Sequence, residues 1–205
     1  MISCGYAATR VPKTAAEPQG LHETCRKSIA FPLGEKFFKG LYSMTFGLAT
    51  DVPAPADYDG DGRADIAVWR DSNQTFYSIN SGNSQSASSN FANFVTSGTV
   101  ATPVSSDYDG DGRADYAIRN AANWIILNSA TSVTSVTSWQ LASDTPVQND
   151  YDGDGRCDIA VWRPIDTPTG TLGHWFIRQS ATGNSLRQVA WGTTGDIPVP
   201  AYYRR

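Results

Sequence analysis

Beyond about residue 46 the apolar and aromatic residues gather in short runs separated by Gly, Ser, Asn and Asp, a pattern that predicts β-strands joined by turns. The runs recur as a set. "DIAVWR" at 65–70, "DYAIRN" at 115–120 and "DIAVWR" at 158–163 are β-branched and aromatic. Each is followed by an aromatic strand, "TFYSI" at 75–79, "NWIIL" at 123–127 and "HWFI" at 174–177. After a polar turn comes a fourth segment, "FANFV" at 91–95, "SVTSWQL" at 135–141 and "RQVAWG" at 187–192. Each set is introduced by a Pro four residues ahead of an Asp, in "ATDVPAPADYD", "VATPVSSDYD" and "SDTPVQNDYD".

Four short strands per unit, repeating every 40–50 residues, predict an all-β array of four-stranded antiparallel blades, the unit of a β-propeller. One such sheet cannot bury both its faces alone, so neighbours must stack, with Trp and Ile supplying the contacts. The blades are expected at about 53–99, 103–142 and 146–192, with a partial one at 197–205, inside an array spanning 46–205. "LYSMTFGLATDVP" at 41–53 resembles "LRQVAWGTTGDIP" at 186–198 and reads as the last strand of a preceding blade. Three complete blades bracketed by pieces fall short of the about 4–8 that closed propellers use. The expectation is therefore a piece of a longer array, closed by neighbouring blades or by self-assembly. Residues 1–45 match no repeat well and are read as an unassigned segment or a degenerate partial blade.

The turn between the first two strands carries the chemistry. "DYDGDGRAD" stands at 57–65 and 107–115, and "DYDGDGRCD" at 150–158, so these loops hold 12 of the 20 Asp and Glu. Removing those acids leaves 16 Lys and Arg against 8 Asp and Glu, so the net charge of −4 is a local property. No basic stripe lies along any expected strand, which argues against a nucleic-acid partner. Carboxylates at positions 1, 3, 5 and 9 converge when the backbone curls, and two charges about 5 Å apart cost roughly 3 kcal/mol at an effective dielectric of 20. A cation reverses that sign. Hard oxygen donors without His or Cys select Ca²⁺, and this many carboxylates suit it better than Mg²⁺. Glycine at position 6 allows the turn that presents the Arg carbonyl at position 7, with the Arg side chain expected in solvent. An EF-hand would need Glu at position 12, where Val68, Ile118 and Val161 stand, so the Asp at position 9 is expected to close the site. A metal-free Asp/Gly turn is the competing reading, and three near-identical copies weigh against it.

The loop followed by "DIAVWR", with the "GDIPVPA" lead-in, resembles the FG-GAP/VCBS-type repeats of integrin-like β-propellers over roughly 46–205. The resemblance implies a calcium site in the loop joining the first two strands of each blade, in an extracellular or cell-surface setting. Carried over by position, the three Ca²⁺ sites are Asp57, Asp59, Asp61, Arg63 (carbonyl) and Asp65; Asp107, Asp109, Asp111, Arg113 and Asp115; and Asp150, Asp152, Asp154, Arg156 and Asp158. Tyr202 and Arg204 stand where a fourth loop would place Asp, so no fourth site is expected.

Nothing in the sequence carries a catalytic pattern. Neither G-x-S-x-G nor a P-loop occurs, and His22 and His174 have no visible partner, so no enzyme is expected. Acids repeated in every blade also differ from a glycosidase pair, which is needed once. Trp69, Trp124, Trp139, Trp162, Trp175 and Trp191 recur at repeat positions and are expected to pack between blades, with sugar stacking as the alternative. Cys4, Cys25 and Cys157 have no metal-type spacing; a Cys4–Cys25 disulfide and two free thiols are equally open. No 18-residue apolar run predicts a membrane span, and the first 30 residues lack the apolar centre of a secretory signal. The sequence thus predicts a non-catalytic calcium-binding module for an unidentified protein or glycan ligand, with a lectin-like propeller or an accessory part of a secreted enzyme as alternatives.

Overall fold

The computed structural model describes residues 44–91, 93, 95, 100–168, 170–193 and 195–199. Cys4, His22, Cys25, the bulk of the 1–45 segment, and Tyr202 and Arg204 lie outside the described residues. The chain divides into two units, Met1–Phe46 and Gly47–Arg205, and every described strand belongs to the second.

That unit contains three four-stranded antiparallel sheets, each with its strands side by side in chain order. The first sheet is β1 (Val52–Pro53), β2 (Ile66–Arg70), β3 (Thr75–Ile79) and β4 (Ser86–Asn90). The second is β5 (Ala101–Pro103), β6 (Tyr116–Asn120), β7 (Asn123–Leu127) and β8 (Thr134–Ser138). The third is β9 (Thr145–Pro146), β10 (Ile159–Thr167), β11 (Gly170–Gln179) and β12 (Ser185–Thr193). Among the described residues no strand of one sheet pairs with a strand of another. Proline falls in β1, β5 and β9, edge strands where a missing N–H is tolerated, and at Pro164 of β10, past the residues that β9 pairs.

The central strands of the first two sheets and the first four residues of β10 are largely buried on both faces, which is why they read as apolar runs rather than as a strict alternation, whereas the outer part of the β10–β11 hairpin is half-buried or exposed. Trp69, Phe76 and Phe91 of the first sheet interlock with Ala101, Ile118 and Ile125 of the second. Trp124, Ala117 and Ile126 of the second meet Ile159, Val161 and Phe176 of the third. Each buried Phe or Ile contributes about 1.5–3 kcal/mol, and truncating a fully buried Trp such as Trp69 to Ala costs about 3–5. Trp69 and Trp124 pack between sheets as expected, whereas Trp162 is buried among residues of its own sheet and Trp191 is 75% exposed.

The fourth strand of the first sheet corrects the sequence expectation. It is Ser86–Asn90, paired from Thr75↔Asn90 to Ile79↔Ser86, and Phe91 lies just past its end. A strand at the outer edge needs no apolar face, so a Ser-rich segment that reads as turn fits there. The fourth strands of the other sheets overlap the expected segments.

The β10–β11 hairpin runs out to Thr167↔Gly170, with an irregularity in the β11–β12 register between Leu172 and His174. Gly173 is required there, since a Cβ would collide with the Trp162 indole and the Trp191 carbonyl. In the first and third sheets an Arg at the end of the second strand's buried run clasps an Asp before the first strand. Arg70 Nε and NH2 donate to Asp51 at 2.9 and 2.8 Å, and Arg163 does the same to Asp144 at 2.6 Å twice.

Candidate metal centre

Each acidic loop spans the first two strands of its sheet and is pinned at its base by a backbone bridge, Ala56↔Asp65, Ser106↔Asp115 or Asn149↔Asp158. Gly60 and Gly62 take φ of +82° and +86°, the left-handed conformation that lets the loop curl, and Gly110, Gly112, Gly153 and Gly155 repeat it. The first Asp is held at both oxygens: Asp57 accepts from Gly60 N at 2.7 Å and Gly62 N at 2.9 Å. Asp107 and Asp150 accept from the same two positions of their own loops. Asp59 accepts from Asp61 N, and Asp61 from Arg63 N, so the carboxylates of positions 3 and 5 are also locked to the curl.

The curl brings carboxylates together. Asp57, Asp59 and Asp61 form one group; Asp107, Asp109 and Asp115 a second; Asp150, Asp152 and Asp158 a third. Within each group, one ligand oxygen per residue lies within 4.8 Å of the others. The ninth-position Asp closes the second and third groups, whereas in the first the fifth-position Asp61 does so. Asp65, Asp111 and Asp154 flank their groups. Asp111 is drawn to Arg113, whose NH2 lies 2.8 Å away, and its Oδ2 also accepts from Ser129 Oγ.

The ninth-position acids are the most deeply buried, at 1% exposure for Asp65 and 0% for Asp115 and Asp158, with Asp57 also buried. Each is satisfied by backbone amides: Asp115 accepts from Tyr108 N at 2.9 Å and Ser129 N at 2.6 Å. Burial nevertheless pushes Asp115 up to about 6 against these bonds, and it raises Asp158 as well. A buried carboxyl that resists ionisation, beside two other acids, fits a site completed by a cation. The donor set is all oxygen, which fits Ca²⁺.

Three serines complete the arrangement. Ser81, Ser129 and Ser180, in the turn after the third strand, each donate N–H to the ninth-position Asp at 2.6–2.7 Å. Each also donates Oγ to the fifth-position Asp at 2.8–3.1 Å. The loop is therefore tied to the far hairpin of its own sheet.

Two of the loop arginines reach solvent past the loop before them, Arg156 exposed and Arg113 half-buried. The Arg113 stem lies against Gly60 of the preceding loop, where a Cβ would come within 2.8 Å of Arg113 Cγ, and Arg156 lies against Gly110 in the same way. Backbone bonds join the same loops: Ala114 N donates to Asp57 O at 2.6 Å and Cys157 N to Asp107 O at 2.7 Å. Cys157 is a buried free thiol whose ionisation is suppressed by burial.

Residues 57–118, from the first loop through most of β6, match the model of the FG-GAP-like repeat. No curated protein and no solved structure matches the chain. The matched stretch is similar to an FG-GAP-like repeat, and the acid groups of all three sheets are capable of holding a metal ion. No helix among the described residues is long and apolar enough to cross a membrane.

Proposed function

We propose that the protein is a non-catalytic, calcium-binding β-propeller module that serves as a recognition or adhesion scaffold outside the cell. The observation that carries this reading is the threefold recurrence of the acid group at the same turn of three successive sheets. Ca²⁺ would be held by Asp57, Asp59, Asp61, Asp65 and the Arg63 carbonyl, and by the corresponding sets at Asp107–Asp115 and Asp150–Asp158. When bound, the ion neutralises the acids of the curl. The chain's own residues do the rest: the glycines shape the turn, backbone amides orient each carboxylate, and the serines fasten the loop to the far hairpin. Extracellular modules bind calcium at about 10⁻⁴–10⁻³ M, so such sites fill outside a cell and stand largely empty in cytosol.

Thermal unfolding across a calcium titration, with chelator as the zero point, tests this. A site at a hundred times its dissociation constant adds about 2.7 kcal/mol. A rise that magnesium fails to reproduce supports the reading, and a flat curve in a folded chain ends it.

A further inference from the structure

The two spaces between successive sheets are built on one plan and filled differently. Between the first and second sheets, Tyr116 stacks on Tyr58 with ring centroids 4.4 Å apart, and its hydroxyl meets Ser78 Oγ at 2.7 Å. Tyr116 pairs across its hairpin with Leu127, which packs against the core. In the third sheet the same pair of positions is Ile159↔Arg178. Isoleucine does not reach as far as tyrosine, and a cation replaces an apolar side chain. A groove of about 410 Å³ opens there between the second and third sheets, lined by Tyr108, Ile126, Ile159 and Arg178 among others. That is within the about 300–1,000 Å³ typical of small-molecule sites.

We propose that this groove binds a carboxylated sugar, an inference that rests on reading the protein as a recognition module and names its ligand class. Arg178 is the anchor. Its guanidinium lies 5.8 Å from the Trp139 ring centroid, and it makes no ion pair or hydrogen bond among the described residues. A guanidinium held by an indole and lacking an acid presents a fork matched to a carboxylate. The side chains of Ser135, Thr137 and Asn184 line the same groove and have no hydrogen-bond partner among the described residues, so they suit a ring carrying several hydroxyls. Tyr108, Ile126 and Ile159 give that ring an apolar surface. Arg113, Arg119 and Arg163 are committed to Asp111, to the Asp144 and Leu141 carbonyls, and to Asp144, which leaves Arg178 available.

The test is a titration of the calcium-loaded full chain with glucuronate and with glucose, followed by amide chemical shifts. Glucuronate is expected to bind about tenfold to a hundredfold more tightly, the range of one charge-assisted pair, with shifts at Ser135, Thr137 and Arg178. Arg178→Gln should erase the preference. Ile159→Tyr, which restores the residue that fills the other space, should abolish binding while keeping the parent's rise in melting temperature with calcium. Equal affinities, shifts elsewhere only, or binding that survives both substitutions would overturn the proposal. The calcium response is read in the same samples without sugar, so loss of the metal reading is seen separately from loss of the groove.

Discussion

The second sheet and its two neighbours share the acidic loop almost residue for residue and part company a few residues beyond it. Trp69 and Trp162 end the buried run of the outer two, followed by Arg70 and Arg163, each clasping an Asp. The second sheet has Arg119 and Asn120 there, and Ala101 in place of the Asp. Arg119 is nevertheless buried. Its NH1 donates to the Asp144 carbonyl at 2.6 Å and its NH2 to the Leu141 carbonyl, while burial lowers the proton affinity of its guanidinium. The outer sheets thus spend their arginine on the approach to their own first strand, and the second spends it on the segment leading into the third sheet. Repeats stay alike in the acidic loop and diverge where they meet each other.

Removing the linking cation should have the largest effect. Arg119→Met is expected to cost about 3–5 kcal/mol in urea denaturation, two hydrogen bonds from a charged donor, leaving two carbonyls unpaired. A loss under about 1 kcal/mol would mean that the second sheet needs no substitute for the clasp.

Next come the loops, which are equivalent in all three sheets if the likeness extends to the ion. Asp65→Asn, Asp115→Asn and Asp158→Asn should each remove about 2.7 kcal/mol of calcium-dependent stability at a hundred times the dissociation constant. Unequal losses among the three would break the equivalence, and the melting temperature with and without calcium measures them.

The clasps follow. Asp51→Asn should cost about 2 kcal/mol at neutral pH, the worth of hydrogen bonds to a charged group. The Arg70 hydrogen bonds hold the Asp51 carboxyl below its ordinary 3.8. A carboxyl whose folded value is depressed contributes stability above its unfolded value and loses it as pH falls through the folded one. The parent should therefore lose this increment below pH 3.8, and Asp51→Asn should lack that part of the acid sensitivity. Acid titrations followed by tryptophan fluorescence, parent against variant, measure the difference.

The loops and the central strands were legible in the sequence because each depends on residues adjacent in the chain. Carboxylates at alternate positions converge through one local curl, and "DIAVWR" is buried on both faces whichever sheets surround it. What could not be read depends on the sheet being assembled. Ser86–Asn90 is polar because it is an edge, and polarity alone reads as turn. Ser81, Ser129 and Ser180 reach their acids from 16, 14 and 22 residues beyond the ninth-position Asp, so no fixed spacing announces them. Their signal is the turn after the third strand, where they follow Asn80, Asn128 and Gln179. The resting place of Arg113 and Arg156 belongs to the glycine of the loop before, and the groove beside Arg178 is a difference between two interfaces that no single repeat contains.

The loops also form a chain of their own, since the carbonyl of the first Asp in one accepts the amide at the eighth position of the next. Solvent exchange at these amides would therefore report on a neighbour. Ala114 and Cys157 should be protected for as long as the loop before them holds its shape, and Ala64, at the same position of the first loop, is exposed and meets no such carbonyl among the described residues. Opening the first loop would then quicken exchange at Ala114 before any proton in the second loop's own strands is released, and a local disturbance would travel along the array in chain order.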